Sequence, residues 1–272
     1  MKEKDFINIK DLIRSKSPKL LKWLPGFLIR YLERIIHQDE VNFVLDKYKD
    51  AKGLEFSEII MDYFNIQIEV EGIENIPLEG GATIAMNHPL GGMDAIVLVA
   101  ALKERRTDIK FIVNDLLMNL KPMEDLFVGV NKHGKLNGNT LRMIDQVFDS
   151  NKLVCVFPAG LVSRKIKGEI VDLEWKKTFV DLSIKHNNPI IPVYIDGKMS
   201  KFFYRLANFR KFLGIKINIE MLYLVNELFK QRDAKITFKV GKPIYKQDLD
   251  TSKSTKKIAA WVKDKVYELA KN

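Results

Sequence analysis

The 272-residue chain contains a single cysteine, so no internal disulfide can form. Cys155 lies inside the apolar run Leu153-Val154-Cys155-Val156-Phe157, where a small buried hydrophobe is expected rather than a nucleophile. There are four histidines, none paired with cysteine or another histidine at a chelating spacing, and no metal site is expected. Long apolar runs are missing too. The longest, Ala95 to Leu102, has eight residues, far short of the ~18–20 that span a bilayer. The opening Met1-Lys2-Glu3-Lys4-Asp5 has no apolar region behind it of the kind a secretory leader needs. An intracellular protein that meets lipid from one side is the expectation. No internal repeat and no low-complexity linker interrupts the chain. Acidic residues are the minority charge, 35 Asp and Glu against 45 Lys and Arg, a net of +10. That balance favours anionic partners such as a membrane surface, a phosphate-bearing substrate or an acidic carrier protein. Nucleic acid is not expected, because no aromatic-basic RNA-binding motif is present.

Hydrophobic residues make up 46% of the chain, enough for a substantial core. Residues 1–64 read as an N-terminal helical segment. Phe27, Leu28, Tyr31, Leu32, Ile35 and Ile36 recur at helical spacing after Pro25-Gly26, and Val41, Val44, Leu45 and Tyr48 form a second stripe. At residue 65 the period changes to two: Ile66, Ile68 and Val70 alternate with Gln67, Glu69 and Glu71. Further strands are expected at 82–86, 109–113, 153–157, 190–195 and 235–240. Helical patterns over 94–104, 140–148 and 175–185 lie between them, and 256–270 reads as a closing amphipathic helix. This order predicts an α/β fold over 65–272, a mixed, largely parallel sheet flanked by helices, with ligands beyond the strand C-termini.

Two loops fall at such strand ends. The first is Asn87-His88-Pro89-Leu90-Gly91-Gly92-Met93-Asp94. A His leaving a strand and an Asp entering a helix can fold back on each other, so that the carboxylate holds one imidazole nitrogen and the other accepts a proton. The bland alternative is an N-capping Asp beside an incidental His. The second loop, Phe157-Pro158-Ala159-Gly160-Leu161-Val162-Ser163-Arg164, also follows an apolar strand. His37, His133 and His186 lack a comparable setting.

These ordered motifs resemble the glycerolipid acyltransferase superfamily, whose signature is His, four residues, then Asp. The second loop is similar to that family's Phe-Pro-Glu-Gly-(Thr)-Arg-Ser block, and Ile191-Pro192-Val193 to its last block. The Asn-His-Pro-Leu-Gly-Gly stretch resembles a bacterial subgroup labelled haemolysin-like and linked to aminolipid synthesis. The resemblance covers roughly residues 65–245. The chain departs from it in two places: five residues separate His88 from Asp94, and Ala159 stands where the glycerol-phosphate enzymes carry Glu. Both departures weigh against a glycerol-phosphate acceptor.

The resemblance implies acyl transfer from a thioester, acyl-CoA or acyl-carrier protein, to a hydroxyl or amine of a lipid precursor: a lysophospholipid, glycerol phosphate or an aminolipid precursor. No cofactor is implied beyond that co-substrate. His88 would be the general base and Asp94 its orienter. Asn87, Gly91, Gly92 and Gly160 would line the substrate site, with glycine-rich turns supplying N–H donors. Ser163 and Arg164 would bind an anion. Asn131 and Lys132, after Phe127-Val128-Gly129-Val130, stand nearest to the family's middle block. Lys16–Trp23 and the aromatic-basic stretch of Phe202, Phe203, Phe209 and Phe212 with Lys201, Arg205, Arg210, Lys211 and Lys216 suit an anionic membrane interface, the alternative being helices packed on the core. The expected location is peripheral, on the cytoplasmic face of the inner membrane. Two other functions fit the same residues. A non-catalytic, haemolysin-like membrane-binding protein would need no base with an orienter, whereas a lipid-ester hydrolase would use the same pair.

Overall fold

The computed structural model describes residues 6–114, 118, 120–130 and 138–271. The chain packs into two compact units. One holds the described residues up to Ala51 together with Ser200–Gln231; the other holds Lys52–Met199 and the residues from Arg232 onward.

The larger unit is built on a seven-stranded sheet. Its strands are β1 (Gln67–Glu71), β2 (Ala82–Met86), β3 (Ile109–Asn114), β4 (Phe127–Val130), β5 (Leu153–Val156), β8 (Ile190–Asp196) and β9 (Lys235–Val240). They lie in the order β1-β9-β8-β2-β5-β3-β4. All neighbours are parallel except β8 and β9, where Val193 faces Val240 in an antiparallel register. The mixed, largely parallel sheet expected from the strand pattern is therefore present. β2 is central, and Ala82, Ile84, Ala85 and Met86 are each shut off from solvent, as a strand covered on both faces requires. Its one polar side chain, Thr83, is satisfied by the Ser183 hydroxyl at 2.9 Å.

Strand alternation divides the core. Ala85, Val154, Val156 and Ile190 point to a face covered by α7 (Gly138–Asp149), α8 (Thr178–His186) and α11 (Thr255–Leu269). Helix α11 contributes Ile258, Val262 and Val266, spaced four apart on one stripe and all buried, about 1.5–3 kcal/mol of burial each. The helices α5 (Gly53–Phe64) and α6 (Gly92–Ala101) pack on each other, and α6 lies against β1. Every residue of α6 from Met93 to Ala100 is buried, which explains why Ala95–Leu102 is apolar on all sides. A short hairpin, β6 (Arg164–Ile166) and β7 (Glu169–Val171), stands apart from the main sheet. Its two-residue turn, Lys167 at φ 51° and Gly168 at φ 95°, has the paired positive angles that match strand twist.

The smaller unit is helical: α1 (Ile9–Lys16), α2 (Pro18–Trp23), α3 (Gly26–Ile35), α4 (Gln38–Lys47), α9 (Lys201–Phe212) and α10 (Leu224–Phe229). The period change at 65 marks where strands begin, but the stretch 200–231 packs with the N-terminal helices. Polar pairs join the two segments. The Tyr31 and Tyr223 hydroxyls meet at 2.7 Å, and the His37 ring stacks on Phe229 at 3.9 Å and bonds Asn226 at 3.0 Å. The buried Glu220 holds Arg210 at 2.8 Å. The buried Glu227 accepts from the Ser200 N–H, the Ser200 hydroxyl and Lys230. Phe203, Tyr204 and Ala207 turn α9 inward, whereas Phe202, Arg205, Phe209 and Phe212, at i, i+3, i+7 and i+10, share an exposed face.

Candidate active site

β2 and β5 are parallel neighbours with Ala85 opposite Val156, so the loops that leave them emerge side by side. The first loop carries His88. It turns at Gly91, whose φ of 68° and ψ of −132° are angles that glycine adopts without a clash. Helix α6 then begins at Gly92, two residues before Asp94, and brings that carboxylate back over the loop. Asp94 Oδ2 accepts from the Leu90 N–H at 3.0 Å and lies 2.8 Å from His88 Nδ1. The extra residue between His and Asp is thus absorbed by the glycine turn. Leu90 is seated because Gly197 has no side chain there; a Cβ at 197 would come within 2.9 Å of the Leu90 side chain.

Asp94 is fully buried, while the His88 side chain keeps 16% of its surface exposed. Burial raises the Asp94 pKa above the ordinary carboxylate value; the bonds from His88 and Leu90 oppose that push, and the nearby Asp172 adds to it. Asp94 Oδ1 has no hydrogen-bond partner, alone among the buried side-chain polar atoms of the described residues. The second loop completes the surroundings of His88. The Phe157 ring stacks on the imidazole at 4.1 Å, and the Ser163 N–H donates to the His88 carbonyl at 2.8 Å.

The other expected site residues fall in different places. Gly91 and Gly92 lie within the loop, between His88 and Asp94. Asn87 is buried and turned onto β8, its amide exchanging two bonds with the Ile195 main chain at 2.9 and 2.7 Å. Gly160 sits in a tight turn at φ 66°, its own N–H donating to the Phe157 carbonyl at 2.9 Å. That N–H is therefore occupied, and the role of this glycine is conformational. Ser163 and Arg164 are buried. The Ser163 hydroxyl donates to Asp172 at 2.6 Å, and Arg164 Nη1 donates to the Val162 carbonyl at 2.8 Å. Asn131 and Lys132 lie outside the described residues. Of the remaining histidines, His186 bonds Asp145 and Asp149 through its two nitrogens, His37 belongs to the smaller unit, and His133 lies outside the described residues.

The sequence reading missed Asp172. It is a buried acid after β7 that accepts from Ser163, from the Trp175 indole and from the His88 N–H. The faint signal was an acid set among Ile170, Val171 and Leu173. Among the described residues no group of three His, Cys, Asp or Glu side chains could hold a metal ion.

An imidazole held by a buried carboxylate thus lies beyond the C-termini of parallel strands and beside a helix N-terminus, where the ligands of such sheets bind. The chain belongs to the acyltransferase family whose model matches residues 11–272. A lyso-glycine lipid O-acyltransferase of Bacteroides thetaiotaomicron is 46% identical over 264 residues, which is 97% of each chain. One from Phocaeicola vulgatus is 42% identical over 264 residues, 97% of this chain and 95% of that one. Among solved structures, the 1-acyl-sn-glycerophosphate acyltransferase of Thermotoga maritima shares the fold, with a TM-score of 0.50 at 20% identity, covering 90% of this chain and 93% of that one. The protein is an acyltransferase of lipid biosynthesis. Among the described residues no helix is long and apolar enough to cross a membrane.

The burial of Asp94 has a thermodynamic consequence. The folded protein holds the Asp94 proton more tightly than the unfolded chain does, so ionising it costs stability. That cost grows as the pH rises from the ordinary carboxylate value, about 3.9, through the raised one. Asp94→Asn removes the ionisation. Its Tm is expected to equal or exceed the parent's at pH 8 and to lose that advantage near pH 4. Thermal melts at the two pH values measure this, and a variant that melts well below the parent at pH 8 would show that the carboxylate stabilises the fold.

Proposed function

We propose that the protein transfers a fatty acyl group from a thioester to the hydroxyl of a lyso-aminolipid, with His88 as general base. The observation that supports this most directly is the 2.8 Å contact between His88 Nδ1 and the buried Asp94 carboxylate. With its Nδ1 proton directed at Asp94, the imidazole keeps a lone pair on Nε2 for the acceptor hydroxyl. As the hydroxyl oxygen attacks the thioester carbonyl, its proton passes to Nε2 and an oxyanion forms. In the first turn of α6 the Asp94 N–H donates to the Gly91 carbonyl, whereas the Gly92 and Met93 N–H groups have no partner within the helix and no side-chain cap, and these two supply donors to that oxyanion. Collapse expels the thiolate, which takes the proton from the imidazolium, leaving an ester and a free thiol. Direct attack is favoured over an acyl-enzyme. The Ser163 hydroxyl is engaged by Asp172, and burial pushes the Cys155 thiol well above its ordinary pKa.

The donor is an acyl-CoA or acyl-carrier protein, whose acidic groups suit a chain of net charge +10. The O-acyl product and an acceptor built on an amino acid follow the names of the relatives at 46% and 42% identity. Such an acceptor carries an anionic group, and Arg164 is the cation of the second loop proposed to recognise it, exchanging a carbonyl of its own loop for the ligand. The exposed Phe202-Arg205-Phe209-Phe212 face of α9, with Lys201 beside it and Lys211 exposed at the end of the helix, and the exposed Lys22, Trp23 and Phe27 suit a peripheral hold on an anionic bilayer.

Three measurements test this reading. His88→Ala is expected to lower turnover by roughly 10²–10⁴-fold, the usual weight of a general base, while the protein stays folded; Asp94→Asn should retain a residue of activity. Thiol release followed with product lipid analysis reads both, and free fatty acid as the sole product would establish the hydrolase reading instead. For Arg164→Ala, the acceptor KM is expected to rise more than kcat falls, and Arg164→Lys should recover only part, because the planar fork is lost. An unchanged acceptor KM in a folded Arg164→Ala protein would locate the anion elsewhere.

The membrane test uses cosedimentation with anionic and neutral liposomes. Arg210 is left intact in it, since its guanidinium is committed to the buried Glu220. Neutralising Lys201, Arg205 and Lys211 removes about 1 kcal/mol each, so binding should weaken on the order of 100-fold. Raising the salt should weaken the parent's binding in the same direction. Equal binding to the two kinds of liposome would remove the electrostatic part.

A further inference from the structure

We infer that Asp172 is a positioning residue for the transfer, holding the His88 peptide and the Ser163 hydroxyl in place. The inference rests on His88 acting as the base. Asp172 follows β7, and the register of the hairpin sets it: Arg164 faces Val171, so the next residues out, Ser163 and Asp172, face each other. The residue is 2% exposed. A carboxylate so placed is costly unless donors surround it, and here three do. Oδ1 accepts from the Ser163 hydroxyl at 2.6 Å and from the His88 N–H at 3.3 Å; Oδ2 accepts from Trp175 Nε1 at 2.9 Å. Its main chain is pinned from α11. The Asp172 N–H donates to the Tyr267 hydroxyl at 2.7 Å, and Lys263 donates to the Asp172 carbonyl at 2.6 Å.

The result is a clamp on the His88 backbone. Its N–H is held by Asp172 and its carbonyl by the Ser163 N–H, and Ser163 is in turn held by Asp172. The imidazole then has only its ring orientation left to fix, which Asp94 and Phe157 do. A fold selected for stability alone has no reason to set a second buried carboxylate near the first, since Asp172 adds to the cost of ionising Asp94. Transfer chemistry supplies a reason, because the imidazole gains a positive charge as it takes the proton. Asp94 from α6 touches the ring itself, while Asp172 beyond the hairpin holds the His88 N–H and is tied in turn to Lys263 and Tyr267 of α11. Removing the charge while keeping the shape should therefore harm the chemical step and spare substrate binding.

The test is Asp172→Asn, with Trp175→Phe and Tyr267→Phe as milder variants that each release one tether of Asp172. Steady-state acyl transfer is followed beside the backbone amide signals of protein labelled with ¹⁵N-histidine. Of the four histidine signals, that of His88 is the one missing from His88→Ala. Asp172→Asn is expected to lower kcat on the order of 10²-fold, with each KM within about threefold, and to shift the His88 amide signal while the others stay. The two tether variants should move kcat and the His88 signal in the same direction by less, and they decide the matter if Asp172→Asn does not fold. An inactive His88→Ala together with parent-like kcat and an unmoved His88 signal in the folded Asp172 variant, or in both tether variants, would overturn the inference alone. Full turnover by folded His88→Ala would overturn the base assignment and this inference with it.

Discussion

A carboxylate removed from water raises the free energy of a fold unless its neighbours compensate, and Asp94 is wholly buried with one oxygen satisfied and the other without a partner. Its two contacts, the His88 ring and the Leu90 N–H, constrain everything nearby. β2 has to end at Met86 so that the next residues leave the sheet beside β5. The chain has to turn within a few residues, which requires the positive φ at Gly91. α6 has to start early enough to carry Asp94 back, and its apolar body has to be enclosed so that the carboxylate stays dry. The central position of β2, the all-round apolarity of α6 and the glycine pair are separate features of the sequence that meet in one hydrogen-bonded contact.

Most strands were legible because their patterns are strong. β1 alternates, and β2, β5 and β8 are continuous apolar runs in the middle of the sheet. β4 and the β6–β7 hairpin were not, being three or four residues long with no period to read. The His88–Asp94 contact could be expected because its two partners lie within one loop, six positions apart. Asp172 could not: its partners come from positions 88, 163 and 175, and one acid among 35 acidic residues announces nothing locally. The engagement of Ser163 and Arg164 was hidden for a related reason. The first meets that same distant acid and the second a carbonyl of its own loop, and neither leaves a mark in the residue types.

The aromatic residues of 202–213 carry a different lesson. Composition alone allowed either a core helix or a surface one, and the three-dimensional placement separates them residue by residue. Phe203 and Tyr204 are buried while Phe202, Phe209 and Phe212 are exposed. The same helix also sorts its basic residues. Arg210 is matched to a buried glutamate, whereas Lys201, Arg205 and Lys211 remain at the surface. Counting charges in a sequence window therefore overstates what such a surface offers to lipid, and the correction comes from finding which cation already has an internal partner.

The β6–β7 hairpin works as a ruler. Its tip, Lys167-Gly168, is solvent-exposed, yet the number of residues between Ser163 and Asp172 decides whether those two stand opposite each other. Strand faces alternate with every residue, so a single insertion or deletion in either arm would turn Asp172 away from the site. Among descendants of this chain, the tip could change in composition while the arm lengths stayed fixed. Length, rather than identity, is then the inherited quantity in a stretch whose exposure would otherwise suggest free drift.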